Sequence, residues 1–439
     1  MQLNDGSRRV ALGFLALGIV FVTELRPCLG QPFPVDLVHL RERAEEHYFD
    51  GDYEDARRVL KEAEDWLDNP LNRRNLIKIN FDHSMLDVFF SGFRAEVLFA
   101  LGEVSAANGA LRHAEGILKN RRKRLAAARL LPPLTLQYEA FIEFVRGDLQ
   151  QPMPDFGLSQ DPSIPPELRD FFLRKDARDS LAAYGRAEKV LSNPQANDGD
   201  AFFRRLEGRL LTSLARCKIL KVGKPTANDV TDCESILARA EAAFAKGAFW
   251  QQVINQANFD RLPLTFKVVN ERIQDPQLRL TLKRLFAQTI NDWAEIQLLR
   301  AELTAYQEQD GAVAEQTIET AERSYDAVVG FMKSQFGDKH ASVHRVQLSR
   351  ARWLIALAGA PGVQPETKMS YLQDCVADLG NMNKLAAPDM AQVEALELAA
   401  TSMMIAANKA TAKLPAAQVE KLDARVVELK DKLAARLEP

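Results

Sequence analysis

The chain is poor in the residues that staple, grip sugars or attract polyanions. It has four cysteines, four tryptophans and seven tyrosines among 439 residues. Secreted domains held by disulfides carry denser, even sets of cysteines. Here the four are Cys28, Cys217, Cys233 and Cys375. If Cys28 leaves with an N-terminal leader, three remain. Cys217 and Cys233 have two readings: a pair across a helical hairpin, or two small buried apolar side chains. Lys and Arg total 57 against 60 Asp and Glu, a formal net charge of -3. Nucleic-acid affinity comes mainly from clustered cations meeting phosphates, so nucleic acid is not an expected partner.

Catalytic signatures are missing too. The sequence has no GxSxG elbow, CxxC, GxxxxGK[ST] or GxGxxG. No catalytic residue, cofactor or metal ligand can be nominated, and the chain is expected not to be an enzyme. Hydrophobic residues are 46% and charged residues 27%, enough to bury a core. The length suits one large repeat array or about two to three ordinary domains.

The N-terminus has one apolar run, Val10 to Val22, after Arg8 and Arg9. It is shorter than the roughly 20 residues needed to span a bilayer. With Cys28-Leu29-Gly30 after it, residues 1–30 read as a secretory signal peptide cut near Gly30, or as an uncleaved anchor. Leu25-Arg26-Pro27 is a poor context for lipidation at Cys28. The expected location is periplasmic or secreted, with membrane contact only through an uncleaved N-terminal segment.

Beyond the leader, apolar residues recur at three- and four-residue steps, the period of helices. Asn69-Pro70 and Asn193-Pro194 close two of them. A spacing repeats: Gly51, Tyr53, Ala56, Leu60, Ala63, then Gly102, Val104, Ala107, Leu111, Ala114. Ala44 and Ala95 stand the same distance before each glycine. Alanines let two helices approach closely, and the larger residues fill the space between pairs.

This pattern resembles the tetratricopeptide repeat, a helix, a glycine turn and a second helix. It departs from that family in places. Leu40 and Ser91 stand where tryptophan is usual, Arg43 and Arg94 where leucine is usual, and the copies are 51 rather than about 34 residues apart. A third unit would begin at about Leu134–Gly147, continue through a proline-rich connector, Gln150–Glu167, and end in a helix carrying Tyr184 and Ala187. A fourth pair would cover Asp200–Lys221 and Asn228–Lys246. Phe336–Gly359 resembles the kinesin-light-chain type of repeat through Gly337, Asp338, His340, Val343, Leu348, Leu354 and Gly359, after a helix at about Gly311–Gln335. Val419, Leu422, Val426, Leu429 and Leu433 make an amphipathic helix suited to capping the array, or to a short coiled coil.

The expectation is therefore all-α: a right-handed superhelical solenoid of antiparallel helix pairs. It would comprise an N-terminal array over 35–265, with an insertion at 150–167. A C-terminal array over 275–410 and a capping helix over 415–437 would follow.

Three local features invite chemistry. Asp50-Gly51-Asp52-Tyr53-Glu54-Asp55 opens like a calcium loop. But the sixth position would be Asp55, not glycine, and the twelfth Lys61, so a hairpin turn is the better reading. His340 and His344 share a helical face without a third ligand. The basic run Lys119, Arg121, Arg122, Lys123 and Arg124 either meets the carbonyl end of a helix or forms a docking patch for an acidic partner.

The resemblance implies a concave groove lined by first helices that binds a protein or peptide. It places Arg41, Glu45 and Tyr48 on that groove, beside Phe89, Glu96 and Phe99. Chaperone-binding members hold a peptide carboxylate with Lys and Asn. Glu45 stands where Asn is expected and would repel it. Two rival readings remain, a glycan-binding protein using Trp250 or Trp293, and an enzyme with its site near 150–167.

Overall fold

The computed structural model describes residues 35–78, 83–125 except 102, 133–150, 177–193, 201–222, 226–246, 341–359, 363–384 and 390–437. It also describes 292–300 and single positions between 289 and 338. The leader at 1–30, most of the 150–167 insertion, Trp250, His340, most of the helix expected at 311–335 and the Arg124 side chain lie outside the described residues.

The described residues are all-α, with no strand among them. Among the described residues nine helices run from Val35 to Phe244: α1 Val35–Asp50, α2 Tyr53–Asp68, α3 Pro70–Lys78, α4 His83–Ala100, α5 Val104–Leu125, α6 Pro133–Leu149, α7 Ala177–Leu191, α8 Ala201–Val222 and α9 Ala227–Phe244. Residues 292–300 are helical. Four more described helices follow: α10 Ala341–Gly359, α11 Pro365–Lys384, α12 Met390–Thr411 and α13 Ala416–Leu437.

Helices pack as consecutive hairpins, α1 on α2, α4 on α5, α6 on α7, α8 on α9, α10 on α11 and α12 on α13. Neighbouring hairpins then meet through α2–α4, α5–α6, α7–α8 and α11–α12, and also through the first helices α4–α6–α8. Each hairpin thus buries one face in itself and another against its neighbour.

The turn between α1 and α2 has an identifiable cause. Gly51 takes φ 84°, a conformation that glycine adopts without steric cost. The Asp52 amide then donates to the His47 carbonyl at 2.8 Å, and the Gly51 amide to Tyr48 at 3.3 Å. These two bonds close the helix end in the glycine-terminated manner and satisfy carbonyls that would otherwise be orphaned. In the second copy, Glu103 donates to Leu98 at 2.9 Å in the same way.

The repeated spacing falls on the core. Ala44, Ala56, Leu60, Ala63, Ala95, Ala107, Leu111 and Ala114 are all buried. The spacing of 51 residues also has a physical source. An extra short helix, α3, stands between α2 and α4. Asn69 is extended, with ψ 121°, as the residue before a proline must be. From α3, Asn72 and Arg73 reach back and donate to the Trp66 and Leu67 carbonyls at 2.9 and 2.8 Å.

Close approach within later hairpins depends on glycines of the first helix. A Cβ on Gly208 of α8 would stand 2.5 Å from Phe244 of α9. A Cβ on Gly147 of α6 would overlap the Tyr184 ring of α7. Tyr184 is fully buried and donates its hydroxyl to Asp148 at 2.6 Å.

Buried side chains form two clusters, one through α1–α9 and one through α10–α12. Trp293 packs against both, and α1 also lies against α10. On α13, Leu429 and Leu433 are buried, and Leu422 is packed against the second cluster.

Candidate functional site

Residues on α1 and α4 build the strip that sequence reasoning singled out. Arg41 donates from Nε to Glu45 at 2.7 Å, one helical turn away. Its guanidinium also sits 5.0 Å from the centre of the Phe89 ring, within cation–π range. Tyr48, a further turn on, meets Tyr53 and Phe93 edge to face at 5.4 and 5.3 Å. The structure therefore brings Arg41, Glu45, Tyr48 and Phe89 together.

The six residues differ in what they leave for a partner. Phe89 is buried among Phe90, Tyr138 and Phe141 and serves as a floor. Glu96, two turns along α4, is directed at Arg209 of α8 at 3.5 Å. Arg209 in turn lies 4.9 Å from the centre of the Phe144 ring of α6. One cation thus links α4, α6 and α8. Arg41 and Glu45 keep 31% and 41% of their side-chain surfaces exposed, and Tyr48 and Phe99 are half-buried.

Sequence reasoning missed Phe93 and Arg209. Phe93 was hidden in a continuous apolar run. Arg209 carried a faint signal: cations at positions 205, 209 and 216 of a helix otherwise rich in leucine. They form a row of ion pairs, Arg205 with Asp292 at 2.6 Å, Arg209 with Glu96, and Arg216 with Glu295. Arg300 adds Glu241 at 2.7 Å. The row fastens residues 292–300 to α8 and α9.

The basic run at the end of α5 is divided. Arg121 donates to the Thr135 hydroxyl at 3.0 Å and approaches Ser84 at 3.5 Å. Arg122 pairs with Glu139 of α6 at 2.7 Å. Burial pushes the Glu139 carboxyl up, and Arg122 opposes that shift. These two arginines join α5 to α6, while Lys119 and Lys123 are exposed.

Possible reactive groups are sheltered. Cys217, Cys233 and Cys375 are buried thiols that form no disulfide among the described residues. Burial pushes Cys233 up to about 11 and Cys375 higher still, so both are protonated at neutral pH. His344 of α10 is buried, and its ring nitrogens make no hydrogen bond of normal geometry among the described residues. Burial holds its pKa down to about 4 against the opposing pull of the Asp338 backbone. No group of three or more His, Cys, Asp or Glu suited to a metal occurs among the described residues. No described helix is long and apolar enough to cross a membrane. Trp293 is half-buried between the two clusters.

No protein-family model, curated protein or solved structure matches this chain.

Proposed function

We propose that the protein is an exported scaffold with no chemistry of its own. Its hairpins would form a right-handed superhelical solenoid of the tetratricopeptide kind. A protein or peptide partner would lie along the concave face of the first helices. The observation that carries this reading is the strip on α1 and α4. There Arg41, Glu45 and Tyr48 stand partly exposed over a rigid aromatic floor of Phe89 and Phe93.

Such a strip combines the features of a binding centre. Aromatic and arginine side chains give large contact area at low entropic cost, and a packed floor holds them in place. Arg41 and Glu45 offer a peptide one donor fork and one acceptor in a fixed register. The run after Arg8 and Arg9 supports export, to the periplasm or outside the cell.

A co-purification from the extracytoplasmic fraction tests the proposal. The full chain should retain a partner that Arg41→Glu and Glu45→Lys variants lose, while their helical content and melting stay close to the parent. Retention of every partner by both variants would show that binding lies elsewhere.

A further inference from the structure

A cleft of about 330 Å³ opens between α10, α11 and α12, and none of its lining residues belongs to the strip on α1 and α4. Its walls are apolar: Ala358 from α10, Leu372 from α11, Met403, Ala406 and Ala407 from α12, with Val363 ahead of α11. Gly359 belongs to the lining too. A Cβ there would come only within 4.0 Å of the Met403 methyl, so this wall has room beside it.

Among the described residues, the one charged side chain in the lining is Lys368, in the first turns of α11. Its ammonium forms no ion pair among the described residues, and the side chain is only half-exposed. The nearest carboxylate in sequence, Glu366, has its own partner in Lys413 at 3.6 Å. Among the described residues no carboxylate therefore pairs with the positive charge that Lys368 brings to this apolar lining. It stands at the end of α11 that itself favours anions.

We propose that this cleft binds a single-chain aliphatic carboxylate. The tail would lie between α10 and α12, and the carboxylate would accept charge-assisted hydrogen bonds from Lys368. The volume is at the small end of ligand pockets, which run from about 300 to 1,000 Å³. It suits one short chain. Each methylene buried should tighten binding about fourfold until the slot is full.

Calorimetric titration of the full chain with hexanoate, octanoate and decanoate, all below micelle formation, tests this. The expected result is saturable binding of one equivalent that tightens with chain length. Decanol should bind at least tenfold more weakly than decanoate. Lys368→Met should weaken decanoate about tenfold and leave decanol unchanged. Ala406→Trp, at an exposed position, should abolish binding of both with helical content intact.

Equal affinity for decanol and decanoate would overturn the proposal, as would indifference to Lys368→Met. Absence of saturable binding would do the same. Capture by anionic phospholipid vesicles without binding of free decanoate would assign Lys368 to a membrane surface instead.

Discussion

At the scale of single residues, glycines with different surroundings should respond in opposite directions. Gly147 has the Tyr184 ring where a side chain would go. Gly147→Ala must therefore displace a fully buried aromatic, and overpacking of this kind costs about 1–3 kcal/mol. Gly109 lies in the exposed face of α5 with nothing within 4 Å of its would-be Cβ. Gly109→Ala should stabilise by about 0.5–1 kcal/mol, because alanine loses less backbone freedom in a helix. Urea unfolding of the two variants checks both signs. Neither difference was readable from sequence, where both glycines interrupt a helical pattern in the same way.

His344 gives a pH dependence with a definite sign. Its folded pKa is depressed from the usual 6.5 to about 4 by burial. Between those values the unfolded chain binds a proton that the folded chain does not. The neutral histidine is thus tolerated above about pH 6.5, and stability falls as the pH drops through this window. Thermal melts from pH 7.5 to 4 should show that loss, and His344→Leu should flatten it. An unchanged slope in the variant would mean other groups dominate. The sequence marked His344 only through its spacing from His340. Burial gives it a physical role that spacing cannot show.

At the scale of elements, much of the pattern was legible. Tyr53, Ala56, Leu60 and Ala63 announced a helix with a buried face, and all four are buried on α2. The fourth hairpin, expected at Asp200–Lys221 and Asn228–Lys246, appears as Ala201–Val222 and Ala227–Phe244. Thr226 starts the second of these by exchanging hydrogen bonds with Asp229, a capping box. The separate helix α3 was not anticipated. Its nine residues are too short for a periodic signal, and it gains its place from Leu76 and from capping bonds to α2.

The terminal helix α13 shows what sequence pattern leaves out. Its apolar stripe was visible, and Leu429 and Leu433 do face the core. Its charged contact was not. Arg425 holds Glu397 of α12 through two hydrogen bonds of 2.7 and 2.8 Å. Glu397 is 3% exposed, so removing Arg425 takes a paired cation away from a buried carboxylate. Arg425→Ala should cost about 2–3 kcal/mol, less than a fully buried pair because Arg425 is itself partly solvated. Lys432→Ala, on an exposed pair with Glu428, should change unfolding by less than about 1 kcal/mol.

At the scale of the whole molecule, hairpins stacked in sequence order give a chain of local interfaces. Among the described residues, longer-range contacts include the ion pairs of α8 with residues 292–300, Trp293 between the clusters, and α1 against α10. Helical periodicity reveals the local interfaces because each rests on a repeated face. It is silent on the others, which join elements far apart in the sequence and rest on no repeated face. The same limit applies to the candidate site. Arg41, Glu45 and Tyr48 were named because the resemblance to the tetratricopeptide repeat places those positions on a groove. The link from Glu96 to Arg209 spans three first helices and needed the fold.

The central claim is that a partner lies along the first helices and not along the second helices. A photo-crosslinking amino acid placed at Tyr48 or Glu45, and separately at the exposed Arg112 of α5, tests it in the protein's own compartment. The account predicts a discrete crosslinked partner from positions 45 and 48 and none from 112. Crosslinks from position 112 with none from 45 or 48 would contradict it.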